Sequence, residues 1–263
     1  MKPYCVPEKT EKYAGYDMIR KHTPTPALPD ARLRLLHVFL EHSESAHLSE
    51  VYEIATALLQ NGLDIHDRVA PGDDSEEEQA MRTRQLKVLA GDYYSSRFYE
   101  LLAAAGEVSM IAKLSRAIAD MNRAKMELYM RIENGEMIQS SEYFDQVAGI
   151  KVRLFEGFDD VLQESLLPHW RQLLFAVGRC EAVTDELIAL SGQDQDVFSF
   201  RLSGSSASAD AHDSAELTTL LRQFIEQLQN GISQLPASID REELQPIVDY
   251  FQTLAETKGT VIG

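Results

Sequence analysis

The chain has 263 residues, a formal net charge of −17 and a sequence pI of about 4.8. This acidity argues against a nucleic-acid binder, which normally presents a basic face to phosphate groups. The length fits one large domain, and a folded chain of this size buries roughly 70–75% of its unfolded surface without needing a disulfide or a metal.

Cysteine usage and hydropathy predict the compartment. Cys5 and Cys180 are far apart, share no metal-ligand spacing and are typical of a reducing cytosolic setting. The N-terminus lacks the apolar core of a signal peptide, and no stretch approaches the ~20 apolar residues of a membrane span. We therefore expect a cytoplasmic protein without a transmembrane segment, and peripheral contact with a membrane is left open.

The predicted elements are helices throughout, so the expected fold class is all-α. Residues 1–28 are polar and punctuated by prolines, which predicts an N-terminal arm, and residues 29–263 are expected to form a single all-α domain. In chain order, the predicted helices cover about 31–43, 49–69, 77–105, 107–131, 140–163, 168–191, 214–234 and 239–257. Sustained alternation typical of strands is missing from the sequence.

Helix ends are predicted from local signals. Asp30 is expected to cap the first of these helices, and Gly106 to stop the long third one. Asn134–Gly135 closes the fourth, and Pro168 is suited to the first turn of the sixth. Residues 191–213, rich in Ser, Gly and Asp, are predicted to be a mobile loop.

Four segments carry a family resemblance. They are residues 63–69 (LDIHDRV), residues 84–103 (RQLKVLAGDYYSSRFYELLA), the amphipathic helix around Ile118–Tyr129 and residues 149–158 (GIKVRLFEGF). In this order they resemble component 1 of the two-component heptaprenyl diphosphate synthases, and the resemblance covers about residues 30–190. It implies a helical bundle similar to a degenerate isoprenoid-synthase (trans-prenyltransferase) fold.

The resemblance implies that the acidic chemistry of the fold is mostly lost here. Catalytic relatives hold Mg²⁺ between two DDxxD clusters, and the metal carries the departing diphosphate. The first cluster is reduced to Asp67 followed by Arg68, and the second to Asp185 and Glu186. The alternative to a metal-ligand role for Asp67 is a salt-bridged or helix-end carboxylate. For Asp185 and Glu186, the alternative is a solvated helix face. We expect no catalytic residue, metal or cofactor in this chain, with Mg²⁺ in a catalytic partner.

The resemblance also indicates where a growing prenyl chain would lie. The positions eight, five and four residues before Asp67 are Leu59, Gly62 and Leu63, the candidates for a product tunnel shared with the partner. A small Gly62 is compatible either with an open tunnel or with close helix packing. Under the first alternative, Gly62→Phe is expected to shorten the products.

The helix that contains LAGDYY is predicted to meet the partner subunit. Its candidate interface residues are Asp92, Tyr93, Tyr94, Phe98 and Tyr99. Aromatic side chains cluster in cores and in interface centres, and four of them spread around one helix favour at least some contact with a partner.

Two further patterns are interpreted as chance. Asp159–Asp160 looks locally like an acidic cluster, but it is expected to be an exposed helix end. Glu44 and His47 form one Glu-x-x-His pair, whereas ferritin-like di-iron sites need two pairs and further glutamates.

Taken as a whole, the resemblance implies a regulatory subunit of a heterodimer. Its partner, component 2, would condense isopentenyl diphosphate onto farnesyl diphosphate to give an all-trans C35 chain for menaquinone. The sequence does not decide between C30 and C35 products or give the stoichiometry. Two alternatives stay open: a stand-alone Mg²⁺-dependent prenyltransferase that uses the surviving acids, and a helical scaffold of the menaquinone pathway.

Overall fold

The computed structural model describes residues 2–17, 19, 23, 26–69, 78–191 and 214–259, with the backbone alone at 258 and 259. Regular structure over these residues is helical, which confirms the predicted fold class. The α-helices are α1 (Val6–Ala14), α2 (Asp30–Leu40), α3 (Ser49–Asp67), α4 (Glu78–Ala104), α5 (Val108–Glu133), α6 (Ser140–Glu156), α7 (Leu167–Ser191), α8 (Ser214–Ser233) and α9 (Gln245–Gly259). Short 3-10 helices cover Ala46–Leu48, Glu164–Leu166 and Glu242–Leu244.

Helix α2 lies in the centre of the bundle. Every residue from Ala31 to Leu40 except Arg34 is buried, and α2 contacts α3, α7 and α9. Around it, α3 packs along α4, and the series α5, α6, α7, α8 and α9 packs each helix on the next. Polar side chains on such a helix need internal partners, and His37 Nδ1 accordingly lies 2.9 Å from Glu53 Oε1.

The only tryptophan of the chain marks the core between α2 and α7. Trp170 is fully buried, and its ring centroid lies 5.4 Å from that of Phe39. The indole N–H donates to Asp159 Oδ1 at 3.0 Å, and Arg171 Nε donates to Asp159 Oδ2 at 2.7 Å. Asp159 thus anchors the start of α7.

Glycine ends two long helices as predicted. Gly106 follows α4 with φ of 78°, and Gly135 follows α5 with φ of 69°. This left-handed backbone favours glycine because an L side chain is strained there.

Other predicted boundaries are wrong. Asp30 is the first residue of α2 rather than its cap, and its carboxylate accepts a 2.6 Å hydrogen bond from the Tyr4 hydroxyl. The helix predicted to reach residue 163 ends at Glu156, since turns follow it. Asp159 therefore lies in a turn and binds Trp170, which corrects its interpretation as an exposed helix end.

The N-terminal segment contains α1, which packs against α3 with Val6 and Thr10 buried. The division at residue 28 stays a prediction. Ser191 ends α7, and the rest of the predicted mobile loop, 192–213, lies outside the described residues. Within the described part of the chain, no helix is long and apolar enough to span a bilayer.

Candidate functional site

A cavity of about 790 Å³ lies among α2, α3, α5, α6, α7 and α9. Apolar side chains from α9, including Ile247 and Phe251, line one part of its wall. Ionisable side chains line another part: Asp30, Arg32, Asp64, Asp67, Arg68, Lys125, Lys151, Glu181, Asp185 and Glu186. The three acidic residues singled out in the sequence, Asp67, Asp185 and Glu186, thus lie on the wall of one cavity.

The acids come from two helices because of their spacing. On α3, Asp64 and Asp67 are three residues apart, and on α7 Glu181 and Asp185 are four apart. Residues at these separations project from the same helix face. Two acidic faces therefore border the cavity.

Cations from other helices contact these acids. Lys125 of α5 donates to the Asp67 carboxylate in a short ion pair. Lys151 of α6 donates to Asp185 Oδ2 at 2.5 Å.

Arg32, from α2, provides a third cation. Its Nε lies 2.7 Å from Glu181 Oε2 in an ion pair. The guanidinium also donates to the Lys151 carbonyl at 2.5 Å and to Gln60 Oε1 at 3.3 Å. It is almost fully buried and lies over the Phe155 ring, 5.0 Å from the centroid. Arg32 consequently links α2 to α3, α6 and α7 at the cavity.

The pKa of Lys151 reflects this charge balance. Burial by itself lowers the pKa, but the neighbouring carboxylates of Asp185 and Glu181 outweigh it, and the net shift is upward. The ammonium therefore stays charged at neutral pH.

Among the described residues, Asp64 has no ion pair within 4 Å. Burial raises its pKa, against the opposing effects of Arg32 and of the hydrogen bond that Gln60 Nε2 donates at 2.7 Å. Asp64 is thus held by an amide and by more distant cations.

Glu186 differs from the other acids because it is buried and accepts a hydrogen bond from the Tyr143 hydroxyl. A phenol donor satisfies the carboxylate without neutralising it. Its interpretation as part of a solvated helix face is therefore wrong.

The tunnel candidates do not line this cavity. Leu59 is buried in the main core, and Leu63 packs against that core. Gly62 faces α4: a Cβ at this position would lie 2.9 Å from Ser95 Oγ and 3.0 Å from the Gly91 carbonyl oxygen. The geometry at Gly62 favours close helix packing, one of the two alternatives that the sequence left open.

The interface candidates on α4 divide into two groups. Tyr94 and Phe98 are fully buried within the chain, so they cannot touch a partner directly, and this part of the prediction is corrected. Tyr93 is half-buried between the Tyr16 and Tyr94 rings. The Asp92 side chain is 66% exposed and Tyr99 is 46% exposed, so these two remain candidates.

Several residues of the site escaped the sequence analysis. The sequence does contain a signal for Asp64 as a site residue, since it stands three residues before Asp67. It contains none for Arg32 and Lys125, because helix packing alone brings them to acidic partners that are distant in sequence.

Solved structures of similar shape define the class of protein. The crystal structure of heptaprenyl diphosphate synthase from Staphylococcus aureus matches with a TM-score of 0.62 at 12% identity, covering 95% of this chain and 96% of that one. Geranylgeranyl pyrophosphate synthetase from the archaeon Geoglobus acetivorans matches with a TM-score of 0.61 at 17% identity, covering 95% and 97%. The chain therefore has the isoprenoid-synthase fold of the trans-prenyltransferases.

Sequence comparison narrows this class to a family. The family model described as heptaprenyl diphosphate synthase (HEPPP synthase) subunit 1 matches residues 16–230, and the chain belongs to this family. Heptaprenyl diphosphate synthase component 1 of Geobacillus stearothermophilus is 38% identical over 123 residues, which are 47% of this chain and 50% of that protein. The match thus spans about half the length of that curated relative.

The Mg²⁺ chemistry that this fold class implies does not fit the residues present. Asp67 and Asp185 each contact an ammonium group, and Arg68 lines the same cavity. Over the described residues, no group of three or more His, Cys, Asp or Glu side chains is arranged to hold a metal ion.

Proposed function

We propose that this chain is the non-catalytic subunit of a heterodimeric polyprenyl diphosphate synthase. In this proposal the partner carries intact aspartate-rich motifs and Mg²⁺, and condenses isopentenyl diphosphate onto farnesyl diphosphate. The product is an all-trans C35 chain for menaquinone, made in the cytoplasm. Membership of the subunit 1 family supports the proposal.

The observation that carries the proposal is an apolar surface on α4 and α5, here called the α4–α5 face. On α5, exposed Val108, Met126 and Met130 follow a helical spacing opposite to the buried Met110, Leu114 and Met121. Small exposed alanines at 112 and 119 continue the row. A helix that shows apolar residues on both sides normally buries both of them.

The same surface continues on α4. Leu89 is 61% exposed and lies opposite the buried Tyr94 and Phe98, and Tyr99, 46% exposed, lies on the face next to them. The Tyr99 hydroxyl lies 3.4 Å from Ser115 Oγ of α5, so the two helices adjoin there. Exposed apolar side chains on two adjoining helices favour a protein interface here, and interfaces between permanent subunits are large and apolar.

The contribution to a shared product tunnel is part of the same proposal. Leu59 and Gly62 are enclosed within the chain, and the proposal therefore assigns the tunnel floor supplied to the partner to the α4–α5 face. Bulky side chains there, such as Met126, would then limit product length.

The test is a prenyl transfer assay with farnesyl and isopentenyl diphosphates and Mg²⁺. It compares this chain, the partner that carries DDxxD motifs, and their mixture, with products separated by length. We expect activity in the mixture alone and a C35 product. Activity of this chain alone would establish the stand-alone enzyme, and activity of the partner alone, unchanged by mixing, would favour a scaffold.

The interface is tested with Leu89→Arg combined with Met126→Arg. These changes place charge on the α4–α5 face without touching the core, so we expect at least a tenfold loss of association with the partner and an unchanged melting temperature. The matched control is Leu190→Arg, which replaces an exposed leucine on α7. Full association by the double variant would exclude this face.

A further inference from the structure

The helices of the α4–α5 face are basic in an otherwise acidic chain. Together α4 and α5 carry nine Lys and Arg residues against six Asp and Glu residues. The rest of the chain carries 16 against 36, and the whole has a formal net charge of −17. The exposed apolar residues of this face therefore lie on the part of the molecule whose charge is positive.

One row of exposed residues on α5, here called the α5 seam, has the spacing of a helix-packing surface. Steps of four and three residues alternate along it, as they do where two helices pack lengthwise. The row consists of six exposed residues: Ala112, Arg116, Ala119, Arg123, Met126 and Met130. Two guanidinium groups thus lie within a surface that is otherwise apolar.

The two arginines are weakly paired within the chain. Among the residues that the structure describes, Arg116 has no ion pair within 4 Å. Arg123 Nη2 lies 3.2 Å from Asp120 Oδ1, but these side chains are 68% and 41% exposed, and an exposed pair contributes little to stability. Both guanidinium groups are therefore available to a carboxylate outside the chain.

We propose that the α5 seam binds a helix of the catalytic partner that presents two carboxylates seven residues apart, one for each arginine. This inference rests on the proposed function, because the occupant is the partner subunit proposed above. Arg116 and Arg123 are themselves seven residues apart, which is about 10 Å along the helix axis. A helix packed lengthwise on the seam repeats its contacts at the same interval.

Burial is what requires the carboxylates. A partner that covers the apolar positions of the seam also removes both guanidinium groups from water, and a buried charge without a counterion is strongly unfavourable. Carboxylates opposite the arginines remove this cost and accept bidentate hydrogen bonds from the planar groups. The rest of this acidic chain repels such a partner, so charge directs it to the seam and selects it over neutral or basic surfaces.

The test measures association of this chain with the DDxxD-bearing partner by isothermal titration calorimetry, in about 0.05 M and about 0.5 M NaCl. We expect Arg116→Glu and Arg123→Glu to weaken association at low salt about tenfold each and about a hundredfold together. Arg116→Gln with Arg123→Gln should lose most of the salt dependence of the wild type, because the screened charges are gone. The matched control is Arg222→Glu, which makes the same charge change at an exposed position of α8 and should associate as the wild type.

The outcomes separate this inference from the proposed function. The substituted side chains are exposed, so the melting temperatures should equal that of the wild type and confirm that the variants fold. Undiminished association by the variants with glutamate at the seam would overturn this inference alone, since the partner would still bind. A wild type that neither associates with the partner nor activates it would overturn the proposed function, and this inference with it.

Sedimentation of the chain without its partner tests a different occupant. We expect a wild-type monomer. A wild-type dimer that Arg116→Glu with Arg123→Glu abolishes would assign the seam to a second copy of this chain and would overturn the inference.

Discussion

The two sides of helix α3 are held by different kinds of interaction. Toward the cavity, Asp64 and Asp67 meet an amide and an ammonium, and the contacts are electrostatic. Toward α4, Gly62 lies so close to Ser95 and to the Gly91 carbonyl that a Cβ has no room. The cavity side is held by charged and polar contacts, whereas Gly62 on the α4 side tolerates no added volume. One helix therefore combines a face held by charge with a sterically restricted one.

The largest effect is expected at the fixed face. Gly62→Phe places a ring where even a Cβ would lie 2.9 Å from Ser95 Oγ. Overpacking of this size costs about 3 kcal/mol of unfolding free energy or more. Urea denaturation followed by circular dichroism measures the loss, so this variant reports on folding rather than on product length.

Gly149→Ala serves as the control for this comparison. It lies within α6, and nothing would lie within 4 Å of its Cβ. Replacing an open helical glycine by alanine should stabilise the chain by about 0.5–1 kcal/mol. Equal and small effects at the two glycines would show that α3 and α4 are not closely packed.

The next largest effect is expected on the cavity side. Lys151→Gln leaves Asp185 without its counterion, at a site where the two side chains are 21% and 30% exposed. Such a pair lies between the buried and the surface case, so we expect a loss of about 1–3 kcal/mol. The double variant Lys151→Gln with Asp185→Asn should recover part of this loss in urea denaturation. A double variant less stable than the single one would show that the ion pair is not the cause.

A smaller effect is expected for Gly91→Ala, on the α4 side of the same contact. The added Cβ would meet His66 Nε2 at 2.5 Å, but the imidazole is 35% exposed and its ring can rotate toward solvent. Rotation separates His66 from Asp92, a weak pair at 3.4 Å, so the expected loss is about 1 kcal/mol. Its melting temperature should lie between those of wild type and Gly62→Phe, and a loss as large as that of Gly62→Phe would mean that the ring is fixed.

The smallest effect depends on pH. Burial raises the pKa of Asp64 above its ordinary value of 3.8, so the folded state binds the proton more tightly than the unfolded one. The stability that protonated Asp64 contributes is therefore fully present below pH 3.8, and it is lost as the pH rises through the pKa of the folded state. Asp64→Asn keeps an oxygen for the Gln60 amide and removes the charge. Its stability relative to wild type should rise by about 0.5–1 kcal/mol between pH 4 and pH 8, and a difference independent of pH would contradict the assignment.

The sequence predicts the fold well because its helices carry local signals. Apolar spacing places α4 and α5 within two residues of their observed ends, and the glycines at 106 and 135 stop them. The sequence signals for a helix end are weaker where tertiary contacts determine that end. Gly157 directly follows the end of α6 at Glu156, but its φ of −58° differs from the left-handed values of Gly106 and Gly135, and the turns after it hold Asp159 against Trp170.

The site is predicted in part. Asp67, Asp185 and Glu186 follow from motif positions, but their partners do not, because Lys125 and Arg32 reach them from helices distant in sequence. The division of the α4 aromatics could have been found from the helical period. Tyr94 and Phe98 are four residues apart and share one face, while Tyr99 lies on the next.

The buried indole of Trp170 gives the chain an intrinsic spectroscopic probe. Because it is the only tryptophan and lies between α2 and α7, its emission reports on this one core contact. In the folded chain the emission should be shifted to the blue, and it should move to the red when α7 separates from α2. Partner binding at the exposed surface should leave the wavelength unchanged, so a single fluorescence channel distinguishes unfolding from assembly.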